Sequence, residues 1–248
     1  MDEVRADHIQ SVLVPEDLNR FVARYHLPET CNVTLPGPEE RMSHPPPGKV
    51  AINKDILRAG LRFLLSDLVV QVLRGLRVAP TQLVPNSWRT LMAFQVLCRM
   101  HEVPATLNVF WECYGLNGHP RDRGWWCFAA RRGCGLVREA PSSIHGWKER
   151  FFFIDVDPSW GIGTTWETPM KSPIGLSRLS REESDGVAVL RGLVAEGQLP
   201  PVASLISEDT LVNVGLSSVP ADREPATTSS FLALFSSFLS SFHRFLSF

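Results

Sequence analysis

Asp155 and Asp157 close the aromatic run Phe151-Phe152-Phe153-Ile154. A strand end of this kind is where enzymes that cut or join nucleic acid hold a metal-binding carboxylate, because two cations placed there clamp the scissile phosphate. Such a site needs further carboxylates delivered by other strands. The chain beyond Asp157 is instead dominated by Pro and Ser. The preferred reading is two solvated carboxylates ending a strand, and no catalytic residue is assigned. A metal-dependent nuclease or polynucleotidyl transferase using Asp155 stands as the alternative.

A second kind of chemistry is concentrated in residues 119–150. Seven Lys or Arg face three acids in that stretch, whereas the whole chain carries a formal charge of −1. Trp125, Trp126 and Trp147 are interleaved with them. Cationic groups between aromatic faces hold single strands by neutralising phosphates and stacking on bases. Arg131, Arg132, Arg138, Trp147, Lys148 and Arg150 are therefore the nucleic-acid-binding candidates. Against this, aromatic strands usually face a core, and surface arginines are usually just solvated. A helix-turn-helix built from 66–76 and 88–100 is disfavoured, because a recognition helix must present polar residues to the groove and 88–100 is too apolar.

Other chemistries lack their residues. Gly133-Cys134-Gly135 and Gly161-Ile162-Gly163 have no third glycine, and no Gly-Lys-Ser/Thr follows a glycine loop. The five cysteines, Cys31, Cys98, Cys113, Cys127 and Cys134, include no C-x-x-C pair, so neither a zinc site nor a redox motif is indicated. They read as reduced, mostly buried thiols, with Cys127 and Cys134 the pair placed to face each other across a hairpin. No metal and no cofactor is expected.

These residues need elements to position them. Pro15 with Glu16 and Asp17 predicts a helix to about Tyr25, since proline and acids suit a helix start. Five prolines within 36–47 predict an extended strap. Helices are expected over 53–60, 66–76 with Ser66 as cap, 88–100 as the central one, and from Pro104 to about Gly115. Aromatic and β-branched residues at 125–128 and 148–156 predict strands. The fold class is thus α+β: a mainly helical domain with a small antiparallel β-sheet near 124–156 and an irregular C-terminal region. The main domain is placed at 10–168, a Pro/Ser-rich region of low order at 169–225, and a Phe/Ser-rich amphipathic tail at 226–248. In that tail Phe231, Phe235, Phe238, Phe242 and Phe245 share one helical face. It is too short and too charged to span a membrane. The first reading is a low-complexity tail that docks nowhere; membrane-surface contact, a protein partner or self-association through the Phe face is the alternative. Met1-Asp2-Glu3 is acidic with no apolar run after it, so an intracellular location is expected.

Several strings resemble one family in order. They are Leu35-Pro36-Gly37-Pro38-Glu39-Glu40-Arg41, Pro45-Pro46-Pro47-Gly48, Leu57-Arg58-Ala59-Gly60-Leu61-Arg62-Phe63, Leu83-Val84-Pro85-Asn86-Ser87-Trp88-Arg89, Phe94-Gln95-Val96-Leu97-Cys98 and Gly146-Trp147-Lys148-Glu149-Arg150-Phe151-Phe152-Phe153. Over about residues 10–168 the chain is similar to the gypsy-type transposase domain of plant retrotransposon-related proteins. That resemblance carries no established catalytic residues. It implies a non-enzymatic, retrotransposon-derived piece that makes protein or nucleic-acid contacts.

Overall fold

The computed structural model describes residues 5–63 and 65–218; the expectations for the Phe-rich tail lie outside them. Helix α1 (Pro15–Tyr25) begins as its sequence predicts, with the Asp17 carboxylate accepting from the Val14 N–H at 3.2 Å. Phe21 and Tyr25 are its buried residues. The strap that follows is extended and anchored: Thr34 exchanges two 2.9 Å backbone hydrogen bonds with Phe153, and Met42 is fully buried.

Strand β1 (Lys49–Asn53) leads into the short helix α2 (Lys54–Arg58), then α3 (Asp67–Leu76) and α4 (Pro85–Met100). Ser66 occupies the N-cap of α3, but its hydroxyl donates to Gln95 and does not cap the helix. Helix α4 starts three residues before the apolar pattern does, because Pro85 suits the first helical position. Every residue from Ser87 to Cys98 is buried, so α4 is wrapped on all sides. Helix α5 (Leu107–Cys113) is capped by Thr106, whose hydroxyl accepts from the Val109 N–H at 3.2 Å.

Strands β2 (Tyr114–Gly118), β3 (Trp126–Ala130) and β4 (Phe151–Asp155) complete the strands among the described residues. The two aromatic runs are strands, as their composition predicts, but they do not pair with each other. β3 pairs antiparallel with β2, and β4 pairs antiparallel with β1, from Lys49↔Asp155 to Asn53↔Phe151. Both partner strands were hidden from pattern reading. Lys49–Asn53 merges into a helix start, and Tyr114–Gly118 continues directly from α5.

The stretch expected to be of low order, 169–225, is described as far as 218, and there it holds three helices: α6 (Arg181–Ala195), α7 (Val202–Leu205) and α8 (Glu208–Asn213). Val187, Leu190, Leu193, Val202, Leu205 and Leu211 lie in the same core as α4. One compact unit extends to Ser217, well past the boundary placed at 168. Close approach explains part of this. Gly186 of α6 lies against Val103, so near that an added Cβ would meet Val103 Cγ1 at 2.7 Å. Gly75 of α3 likewise admits the 173–174 backbone. No described helix is long and apolar enough to cross a membrane.

The β1–β4 pair is covered on both faces, since successive residues of a strand point to opposite sides. Phe152 and Ile154 enter the main core with Val50 and Ile52. Phe151 and Phe153 face a second, smaller core with Ala51, Met42, Trp125 and Trp166. This is why Phe151–Ile154 is a continuous apolar run and not an alternating one.

Candidate functional site

Lys148, expected to meet phosphate, is turned inward. It lies on a 3₁₀ turn (Trp147–Glu149), with its Nζ 2.6 Å from Asp122 Oδ2 and 4.5 Å from the Trp125 ring centroid. Trp147 packs edge-on against Trp125 at 5.9 Å, and Trp166 does the same at 4.9 Å. A cation held over desolvated indoles and paired with a carboxylate stabilises the fold locally. Burial works to raise the Asp122 carboxyl. Lys148, Arg5 and His119 more than offset it and hold that carboxyl below the ordinary aspartate value.

Arg150 is engaged in the same way. It donates through Nε (3.2 Å) and Nη2 (2.8 Å) to Oδ2 of Asp55, whose side chain is only 1% exposed. Arg138 donates to the carbonyls of Gly197 (3.4 Å) and Leu199 (3.2 Å), tying its segment to the turn after α6. Arg131 donates through Nε to the carbonyls of Trp111 (3.0 Å) and Tyr114 (3.2 Å), with its guanidinium 5.6 Å from the Trp111 ring centroid. Arg132 is exposed. The six candidates thus fall at three places: the Trp147 turn, the end of β3, and the α6–α7 connection.

The carboxylates after β4 are held by neighbours as well. Asp155 accepts from Lys49 Nζ at 2.7 Å and from Asn32 Nδ2 at 3.0 Å, which keeps its pKa below the usual range. Asp157 caps the turn Pro158–Trp160 by accepting from the Ser159 N–H at 2.8 Å. Among the described residues, no group of three or more His, Cys, Asp or Glu side chains is arranged to hold a metal ion.

Beside Arg131 lies an open recess of about 400 Å³ lined by Asn108, Trp111, Glu112, Arg131, Ser177 and Leu179. Its walls are α5, the turn after β3 and the strap before α6. Asn108 fixes the strap by donating to Ser177 Oγ (2.9 Å) and accepting from the Ser177 N–H (3.0 Å). Glu183 of α6 accepts from Thr106 Oγ1 at 2.6 Å and from Asn108 Nδ2 at 3.2 Å. Those bonds, Thr106 first, lower its carboxyl pKa. Glu112 pairs with Arg191 of α6 at 2.8 Å. The recess therefore presents an indole, a cation and one carboxylate, Glu112, together. Sequence reading missed Asn108, Trp111 and Glu112, because the site depends on α6. The available signal was Ser180-Arg181-Glu182-Glu183, a capping-box pattern that announces α6; in the structure Ser180 and Glu183 cap each other reciprocally.

The strings that carry the family resemblance hold the scaffold. Asn86 donates to the Pro141 carbonyl (2.8 Å), Ser87 Oγ accepts from the Phe128 N–H (2.9 Å), and Trp88 Nε1 donates to the Pro80 carbonyl (3.1 Å).

Residues 50–118, which run from β1 to the end of β2, match a family model described as "Putative gypsy type transposon". The resemblance read from the sequence is borne out over that stretch. No curated protein and no solved structure matches the chain.

Proposed function

We propose, from the match over residues 50–118 to a gypsy-type transposon family, that this chain is a non-enzymatic, retroelement-derived domain that acts by contact, with protein contact leading. The observation that carries this reading is the internal engagement of the charged groups that catalysis or phosphate binding would use. Lys148 is taken by Asp122, Arg150 by Asp55, and Asp155 by Lys49 and Asn32. The recess at Trp111 combines an aromatic anchor with both signs of charge. A polyanion would meet Glu112 there, whereas a peptide segment offers the mixed donors and acceptors that such walls satisfy.

A second reading, nucleic-acid contact, is favoured by one observation: Arg132 is exposed beside Arg131, which lies over Trp111. Two assays on the full chain separate the readings. Supercoiled DNA with Mg²⁺ or Mn²⁺ is expected to stay uncut; nicking that Asp155→Asn abolishes would establish an enzyme instead. In titrations with single- and double-stranded DNA and RNA, no steeply salt-dependent binding is expected. Such binding, lost in the double variant Arg131→Glu/Arg132→Glu, would replace protein contact with nucleic-acid contact.

A further inference from the structure

Two of the five thiols are placed side by side. Cys113 is the last residue of α5, and the ladder of the β2–β3 hairpin continues one step past Tyr114↔Ala130, with the Arg131 N–H donating to the Cys113 carbonyl at 2.8 Å. The chain then turns through Gly133, at φ 78°, and brings Cys134 back so that its N–H donates to the Arg131 carbonyl at 3.0 Å. Arg131 thus ties both cysteine backbones together, and the two buried side chains lie close enough to perturb each other electrostatically. Cys127, expected to face Cys134 across a hairpin, instead lies within β3 opposite Asn117.

The surroundings distinguish the two sulfurs. Arg191 reaches over from α6, its side chain passing Gly133 and donating to Glu112 at 2.8 Å, which brings its positive charge beside Cys134. Cys113 first, and then Arg191, draw the Cys134 pKa down. Cys113, in its buried place, is held protonated. Cys134 itself is fully buried, but its cover on that side is the Arg191 side chain, which is 43% exposed.

We infer that Cys113 and Cys134 form an oxidation site at which a hydroperoxide closes an intramolecular disulfide across the base of the β2–β3 hairpin. The Cys134 thiolate attacks one oxygen of hydrogen peroxide, the O–O bond breaks, and the departing hydroxide takes a proton to become water. Cys134 is then a sulfenic acid. The Cys113 sulfur attacks the Cys134 sulfur, the S–O bond breaks, and the leaving hydroxide takes the Cys113 proton as a second water. Two thiols give up two electrons and two protons, and the peroxide is reduced to two waters. Arg191 acts as a positioning residue that stabilises the attacking thiolate.

The test is mass spectrometry of the full chain after brief treatment with hydrogen peroxide, with remaining thiols blocked before digestion without reductant. A peptide pair linked through Cys113 and Cys134 is expected as the main product, while Cys98, buried in α4, stays reduced. Arg191→Met is expected to slow the linkage several-fold. Closing a loop of this length should also raise Tm by about 5–10 °C, reversibly with a dithiol reductant. The inference is overturned if partly exposed Cys127 is oxidised first, if Cys113 and Cys134 remain reduced, or if Arg191→Met links at the unaltered rate.

Discussion

The two strand pairs of this protein share an antiparallel, five-residue geometry and little else. The β1–β4 pair joins segments about a hundred residues apart and is covered on both faces. The β2–β3 hairpin joins neighbours in sequence and leaves most of its residues partly exposed. Charge follows the same division. Asp55, in the first turn of α2 just after β1, is buried and neutralises the partly exposed Arg150 and Arg58. Arg131, at the end of β3, lies against Trp111 at an open recess. The distant pairing fixes residues 49–53 against 151–155 inside the core, and the local one stays at the surface. A long-range strand pair must bury enough apolar area to offset the entropy of closing its loop. A hairpin meets a much smaller closure cost and is free to stay at the surface.

The largest effect that would test this contrast comes from truncating one phenylalanine in each pair. Phe152→Ala removes a fully buried ring that packs on Phe21 at 6.0 Å, and should cost about 3–5 kcal/mol in denaturant unfolding. Phe128→Ala removes a partly buried ring at the edge of the core, edge-on to Phe110 at 4.9 Å, and should cost about 1–2 kcal/mol. Equal losses would erase the distinction between a structural and a surface sheet.

Next comes the buried charge. Asp55→Ala leaves Arg150 and Arg58 without their carboxylate, and a loss of about 2–4 kcal/mol is expected. It falls short of a fully buried pair because the two arginine side chains retain 27% and 56% exposure. A neutral result by the same melts would mean that the pair is ornamental and that Arg150 is available for ligands.

Acid sensitivity gives a smaller handle. The folded Asp122 carboxyl titrates below its unfolded value, so its contribution is present above about pH 4 and fades as pH falls through the folded pKa. Asp122→Asn should therefore flatten the acid limb of a stability–pH curve and leave its alkaline limb unchanged. An acid limb as steep as before would detach Lys148 from the fold and return it to the set of phosphate-binding candidates. The smallest effect is expected at the hairpin end, where Arg132→Glu should change stability by less than about 0.5 kcal/mol, read from the midpoint of a urea melt. A larger loss would show that this end of the hairpin is structural as well.

Much of the helical layer was legible in the residues. Pro15, Pro85 and the apolar spacing of 66–76 and 88–100 specify helices through constraints that act within a few residues: a fixed φ, a missing donor, one face repeating every 3.6 positions. Strand identity at Trp126–Ala130 and Phe151–Asp155 was legible for the same reason, because aromatic and β-branched side chains suit a pleated backbone locally. Pairing was not, since a strand's partner is set by which distant segment completes its faces. Lys49–Asn53 carries no signature that points to a stretch a hundred residues away.

The candidate site divides along the same line. The sequence by itself determined that cationic and aromatic residues are dense in 119–150, that Asp155 ends a strand, and that the chain resembles a gypsy-type family. Only the tertiary structure decided that Lys148 faces Asp122, that Arg150 faces Asp55, and that Asp155 is held by Lys49 and Asn32. It also decided that Cys134 neighbours Cys113 and not Cys127, that α6 completes the core, and that the segment just before α6 closes the recess. The physical reason is range. Propensity, capping and periodicity are properties of neighbours along the chain, whereas the engagement of a charge or a thiol depends on what folding places within a few ångströms of it.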